Sequence, residues 1–70
     1  MVRMYDKSIY PRPVLDAAIS AYKDIAGIVV KDKDEDYICT FGKCKAPVHL
    51  VANEFGNYLI ELLNSRHDLL

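Results

Sequence analysis

The spacing of hydrophobic and polar residues predicts five elements in the order β-α-β-β-α. Near the N-terminus, Val2 and Met4 alternate with Arg3 and Tyr5, which indicates a short strand ending around Ser8. The runs at residues 28–30 and 37–41 are rich in β-branched and aromatic side chains, and a charged segment at 31–36 joins them. Two such runs predict a β-hairpin.

Two longer segments repeat hydrophobic residues at helical spacing. The first covers residues 14–26 and follows two prolines suited to a first helical turn, with Gly27 at the expected position of a left-handed cap. The second begins near Pro47 or Val48 and ends after Ser65, and Leu69 and Leu70 beyond it can fold back. Its hydrophobic stripe comprises Val48, Val51, Ala52, Phe55, Tyr58, Leu59, Leu62 and Leu63, flanked by Leu50 and Ile60.

These elements predict a single α+β domain over residues 1–70, with two helices packed on one face of a three-stranded antiparallel sheet. A split arrangement places the third strand between the first two, which gives the strand order 1-3-2. In that sheet Tyr37, Cys39 and Phe41 are expected to face the core, while Ile38 and Thr40 face the other side.

Composition and charge narrow the class of protein. Hydrophobic residues make up 51% of the chain and charged residues 27%, which is typical of a globular fold. A net charge of -1 argues against a nucleic-acid partner, which needs clustered, uncompensated Lys and Arg. The sequence has neither an apolar stretch of membrane-spanning length nor the apolar core of a signal peptide. We therefore predict a cytoplasmic protein with no membrane partner, and its two cysteines do not form the framework of a small secreted fold.

The small size of the chain favours self-association. A domain of this length buries only about 60% of the surface that its unfolded chain exposes. One face and both edges of the predicted sheet stay open, and the second helix carries more apolar surface than such a sheet can cover. We therefore expect a homodimer.

Cys39, Cys44 and His49 are the best candidates for metal ligands. Zinc accepts thiolate and imidazole ligands in a tetrahedron, so His67 or Glu54 would have to supply the fourth. The simpler interpretation makes Cys39 a small core residue and Cys44 a loop thiol. We favour it and expect no cofactor, and a metal-binding or redox module built on Cys39, Cys44 and His49 is the alternative.

The remaining polar patterns do not indicate catalysis. Asp32, Asp34 and Asp36 lack the glycine and the bidentate glutamate of a calcium loop, which favours a solvated hairpin tip. His49 and Glu54 do not share a face of the second helix. The sequence also contains no recognisable nucleophile motif or glycine-rich phosphate loop, so we predict that the protein is not an enzyme.

Gly56 is unusual because it lies inside the second predicted helix. A glycine there costs roughly 1 kcal/mol relative to alanine, so it indicates that another backbone comes close. That backbone belongs either to the other helix of the same chain or to a partner. The residues that we expect at a partner or subunit contact are Phe55, Gly56, Asn57, Tyr58 and Ile60.

The second helix also carries a family resemblance. The segments at residues 53–59 and 61–63, together with Ile9, Tyr10 and the start of the first helix, resemble the HxsD-like proteins. These are the small D-component of histidine-Xaa-serine peptide maturation systems and their stand-alone relatives. The resemblance implies a non-enzymatic accessory protein beside radical-SAM peptide-modifying enzymes. We therefore predict a small interaction or accessory module that self-associates or binds a peptide or protein.

Overall fold

A computed structural model describes residues 1–65, and the predictions for His67, Leu69 and Leu70 lie outside these residues. The five elements have the predicted order, and their bounds are β1 Val2–Asp6, α1 Arg12–Ala21, β2 Gly27–Lys33, β3 Asp36–Gly42 and α2 Val48–Ser65. The strands form one sheet of order β1-β3-β2, in which both pairings are antiparallel. The α+β fold class and the strand order are therefore confirmed.

The register of the strands divides the sheet into two faces. Tyr5 lies opposite Tyr37, and Val30 lies opposite Cys39, so these side chains share one face. This face packs against the helices: Tyr5, Cys39 and Phe41 are buried, and Tyr37 packs against the buried cluster. The prediction that Tyr37, Cys39 and Phe41 face the core is confirmed.

The core is built around the ring of Phe55, which has no exposed surface. Phe41 approaches it edge-on with ring centroids 5.2 Å apart, and Tyr22 does so at 5.5 Å. Tyr5 is tilted against it at 6.0 Å. Such edge-to-face pairs add a directional attraction to the burial of apolar area. One residue of α2 thus joins two strands and the end of α1.

The first helix ends earlier than its hydrophobic pattern predicts. α1 stops at Ala21, and the N–H groups of Ile25 and Ala26 both donate to the carbonyl of Tyr22 in a turn. The carbonyl of Ile25 accepts from the N–H of Lys45 at 2.9 Å, so a contact distant in sequence fixes this turn. The prediction of a left-handed cap at Gly27 is wrong: Gly27 begins β2, and no glycine has a positive φ among residues 1–65.

The charged hairpin connection is shorter than predicted. Lys33 pairs with Asp36, so only two residues form the turn, and Asp34 adopts a φ of 50° there. Aspartate tolerates this left-handed backbone better than most residues do. The strands extend into the charged segment because antiparallel pairing satisfies its backbone groups while its side chains stay in water.

Candidate functional site

A groove of about 280 Å³ runs between the edge strand β1 and helix α2. We call it the β1–α2 groove, and its lining residues are Arg3, Met4, Tyr5, Tyr10, Ala52, Asn53, Gly56, Asn57 and Ile60. Its position follows from the fold: β1 lies at the outside of the sheet, and α2 packs on the helix-covered face near it. Three of the five residues predicted at a partner contact lie in this groove.

Among residues 1–65, no strand pairs with the outer edge of β1, which runs along one side of the groove. In the ladder with β3, the N–H of Phe41 donates to Met1 at 2.8 Å and the N–H of Lys7 donates to Glu35 at 2.9 Å. Because hydrogen-bonded and non-hydrogen-bonded pairs alternate in an antiparallel ladder, the N–H and C=O groups of Val2 and Met4 point away from β3. An edge strand of this kind can accept a further strand.

Gly56 lies at the helical side of the groove and faces open space. A Cβ built on Gly56 would meet no heavy atom within 4 Å. The first alternative for this glycine, close packing against the other helix of the same chain, is therefore wrong for residues 1–65. Glycine at this position makes the helix less stable than alanine would. Among the described residues, no other part of the chain packs closely against it to compensate for that loss.

A hydrogen bond crosses the groove and fixes its polar end. The guanidinium of Arg3 donates through Nη2 to Oδ1 of Asn53 at 3.0 Å. Within the part of the chain that the structure describes, Arg3 is the one charged residue of the groove lining and gives the groove a positive charge. Ile60 is exposed over 49% of its surface and gives the α2 side of the groove an apolar character.

Tyr5 closes the floor of the groove toward the core. Burial is the main cause that raises the pKa of Tyr5 to about 12, and the nearby Cys39 adds to the increase. Its ring contacts Tyr10 edge-on at 5.2 Å and Phe55 at 6.0 Å. The phenol therefore stays neutral near pH 7, and the ring packs between the groove and the core.

The five predicted contact residues separate into two groups. Gly56, Asn57 and Ile60 line the groove, whereas Phe55 is fully buried and Tyr58 is half-buried with its ring 5.8 Å from that of Tyr22. Phe55 cannot touch a partner of the folded domain, because the surrounding rings cover all of its surface. We therefore assign Phe55 to the core.

Sequence analysis missed the β1 side of the groove. Six further residues line the groove, and none of them is among the predicted contact residues: Arg3, Met4, Tyr5, Tyr10, Ala52 and Asn53. The alternation of Val2 and Met4 indicates a strand, and alternation alone cannot reveal whether that strand lies at an edge beside a helix. Asn53 precedes Gly56 by one turn of α2. This spacing is the signal in the sequence that places Asn53 on the same side of the helix as Gly56.

A second exposed surface lies on the opposite side of the sheet, which no helix covers among the described elements. We call it the open sheet face. Val2, Thr40 and Val29 form one row across it, and Met4, Ile38 and Lys31 form the next. Val2 and Val29 are exposed over 57% and 58% of their surface. Apolar side chains thus cover one end of this face.

The alternative metal ligands do not come together. Within residues 1–65, no group of three His, Cys, Asp or Glu side chains has the geometry to hold a metal ion. Cys39 is fully buried, and burial raises the pKa of its thiol to about 11, which disfavours the thiolate that metals and redox chemistry require. Cys44 is half-buried, and its thiol donates to the carbonyl of Gly42 at 3.7 Å.

The three aspartates of the hairpin are divided between different surfaces. Asp32 lies on the helix-covered side, where its carboxylate contacts Lys7 at 2.9 Å and Arg12 at 3.5 Å. Asp36 pairs with Lys33 across the ladder and therefore points to the open sheet face, and Asp34 forms the turn. The three carboxylates cannot converge on one cation.

No protein-family model, curated protein or solved structure matches the chain. Across residues 1–65, no helix has both the length and the apolar character needed to span a lipid bilayer. The function is accordingly inferred from the geometry of the β1–α2 groove and of the open sheet face.

Proposed function

We propose that the protein is a small interaction module that binds an extended segment of another polypeptide in the β1–α2 groove. The observation that carries this proposal is the position of Gly56, which faces open space beside an edge strand whose outer backbone groups pair with no strand of the described residues 1–65. Addition of a strand to a sheet edge provides affinity through backbone hydrogen bonds, and side-chain pockets next to it provide specificity.

The groove defines the chemistry of the segment that fits it. The backbone of the segment pairs with the outward N–H and C=O groups of Val2 and Met4. Every second side chain of an added strand points toward α2, where Gly56 leaves room and Ile60 offers apolar contact. Arg3 gives the groove a positive charge, so a neutral or acidic segment is favoured over a basic one.

The resemblance to the HxsD-like proteins is compatible with this proposal. Those proteins accompany enzymes that modify peptides, and an accessory protein in such a system needs a surface for a peptide or for the enzyme. On this interpretation the protein has no catalytic role of its own, and its contribution is to hold an extended chain.

A selection experiment tests the proposal. A phage-displayed library of random linear peptides, each long enough to span β1, is selected on the folded protein, and the affinities of the selected peptides are measured by fluorescence polarisation. Gly56→Leu fills the groove with a side chain and is expected to weaken binding at least about tenfold, which corresponds to a loss of about 1.4 kcal/mol.

Ala17→Leu provides the matched control, because Ala17 is an exposed helical residue of α1 and does not line the groove. We expect this variant to bind the selected peptides as the unmodified protein does. The proposal fails if no linear peptide is enriched, or if Gly56→Leu binds the enriched peptides with unchanged affinity.

A further inference from the structure

The β1–α2 groove is polar at one end and apolar at the other. At the polar end Arg3 donates to Asn53 at 3.0 Å, and further along α2 the ring of Tyr5 lies 6.0 Å from that of Phe55. Arg3 and Tyr5 are two residues apart on β1, so both side chains point to the helix-covered face. The groove therefore runs from Arg3 and Asn53 toward the space beside Gly56.

The polar end offers hydrogen-bond donors and a positive charge. A guanidinium carries several N–H groups, and one of those of Arg3 donates to Oδ1 of Asn53. The other polar group of the Asn53 side chain is its Nδ2 amide, which is also a donor. Among residues 1–65, no carboxylate forms an ion pair with Arg3. A carboxylate on the ligand matches this end, because hydrogen bonds between charged groups are stronger than neutral ones.

The other end of the groove offers space and apolar contact. Gly56 faces open space, since no heavy atom lies within 4 Å of the position that a Cβ would occupy. Ile60 follows one turn later on α2 and is exposed over 49% of its surface. An aliphatic side chain such as that of leucine fits this end, because it fills the space beside Gly56 and removes Ile60 from water.

The outer edge of β1 fixes the position of an added strand. Val2 and Met4 direct their N–H and C=O groups away from β3. The carbonyl of Asp6 is instead used in the turn after β1, where it accepts from the N–H groups of Ile9 and Tyr10. An added strand is therefore held at Val2 and Met4.

Two side chains of such a strand reach the two ends of the groove. In an antiparallel pair, the added residue opposite Met4 exchanges both backbone hydrogen bonds with it and points its side chain to the open sheet face. The next residue toward the C-terminus of the segment lies opposite Arg3, and the preceding residue lies opposite Tyr5. Both of these side chains point to α2. Antiparallel addition also continues the pairing of the whole sheet and is more stable per residue than parallel addition.

We propose that the groove selects an antiparallel segment in which an acidic residue follows an aliphatic residue by two positions, and that Arg3 recognises the acidic residue. This inference rests on the proposed peptide binding and adds the chemistry and the order of the two side chains that determine specificity. Asn53 is a positioning residue, because its Oδ1 holds the guanidinium at the polar end of the groove.

Parallel selections test the inference. The same phage-displayed library of random linear peptides is selected on the unmodified protein, on Arg3→Glu and on Lys31→Glu. We expect an aliphatic-x-acidic pattern from the unmodified protein and an aliphatic-x-basic pattern from Arg3→Glu. Lys31→Glu is the matched control, because Lys31 is exposed on β2, undergoes the same change of charge and does not line the groove. It should yield the pattern of the unmodified protein.

The affinities of a synthetic consensus peptide measure the contribution of Arg3. Replacing its acidic residue with lysine should weaken binding to the unmodified protein at least about tenfold and should strengthen binding to Arg3→Glu. Asn53→Asp keeps the oxygen that accepts from Arg3 but adds a charge that pairs with the guanidinium. This variant should bind the acidic peptide and its amide counterpart with similar affinity. Arg3, Lys31 and Asn53 are exposed, so the variants should keep the fold, which circular dichroism checks.

The outcomes separate this inference from the proposed function. Enriched peptides without the aliphatic-x-acidic pattern, or the same pattern on Arg3→Glu as on the unmodified protein, would overturn the inference while peptide binding itself stands. An acidic residue two positions before the aliphatic one would also overturn it, because that order belongs to a parallel strand. Enrichment of no peptide on the unmodified protein would overturn the proposed function and this inference with it.

Discussion

Replacing Gly56 with alanine is expected to stabilise the folded domain. In a helix interior, alanine is more favourable than glycine by about 0.8–1.0 kcal/mol. No steric cost offsets this gain, because the added Cβ has no heavy atom within 4 Å. For a domain of this size each kcal/mol corresponds to about 4–8 °C in Tm, so Gly56→Ala should raise Tm by about 3–8 °C.

Thermal and urea unfolding followed by circular dichroism measure this change. Ala17→Gly is the matched control, because Ala17 is exposed inside α1 and the change reverses the chemistry at a second helical site. It should lower the free energy of unfolding by about the same 1 kcal/mol. Equal and opposite shifts would show that helix propensity alone determines the stability at both positions.

The same Gly56→Ala variant should bind peptides selected on the unmodified protein less tightly, although it is more stable. Opposite signs for stability and binding are the signature of a residue retained for function. A decrease in the free energy of unfolding would refute the reasoning, because the missing Cβ would then serve the packing of the monomer itself.

Three further changes test the core and its titratable groups. Phe55→Ala should lower the free energy of unfolding by about 3–5 kcal/mol. This is a large part of the roughly 4–10 kcal/mol expected for a chain of this length. A loss below about 1 kcal/mol, measured by urea unfolding, would contradict the aromatic core. Because the folded pKa of Cys39 is raised from 9.0 to about 11, the unfolded chain loses its proton first, and stability should fall between pH 9 and 11. Cys39→Ala should make the free energy of unfolding less dependent on pH between pH 9 and 11. An unchanged slope in that range would contradict the raised pKa of Cys39. In the native chain a disulfide reagent should react with Cys44 and reach Cys39 only on unfolding, so rapid reaction of both thiols would contradict the burial of Cys39.

The order of elements could be predicted because it depends on local patterns. Alternation across residues 37–41 places Cys39 and Phe41 on one side of β3, and any compact fold must bury that side. The end of α1 could not be predicted in the same way. A backbone hydrogen bond from Lys45 to Ile25 contributes to it, and the hydrophobic spacing of residues 14–26 contains no information about that partner.

The candidate site was predicted in part for a similar reason. Helix propensity alone makes Gly56 conspicuous, and its neighbours Asn57 and Ile60 follow from their positions on α2. The other half of the groove depends on tertiary placement, because only the strand order puts Met4 at an edge beside that helix. Phe55 belongs to the hydrophobic stripe of α2, and that stripe, not its place next to Gly56 in the chain, indicates its burial.

Amide hydrogen exchange at Met4, measured by NMR with and without a selected peptide, tests the proposed binding mode most directly. The N–H of Met4 points out from the edge of β1, and the N–H of Val30 points out from the opposite edge on β2. If an extended segment pairs with β1, exchange at Met4 should slow on binding while exchange at Val30 stays fast. Slower exchange at Val30 alone, or an unchanged rate at Met4 with peptide bound, would contradict the account.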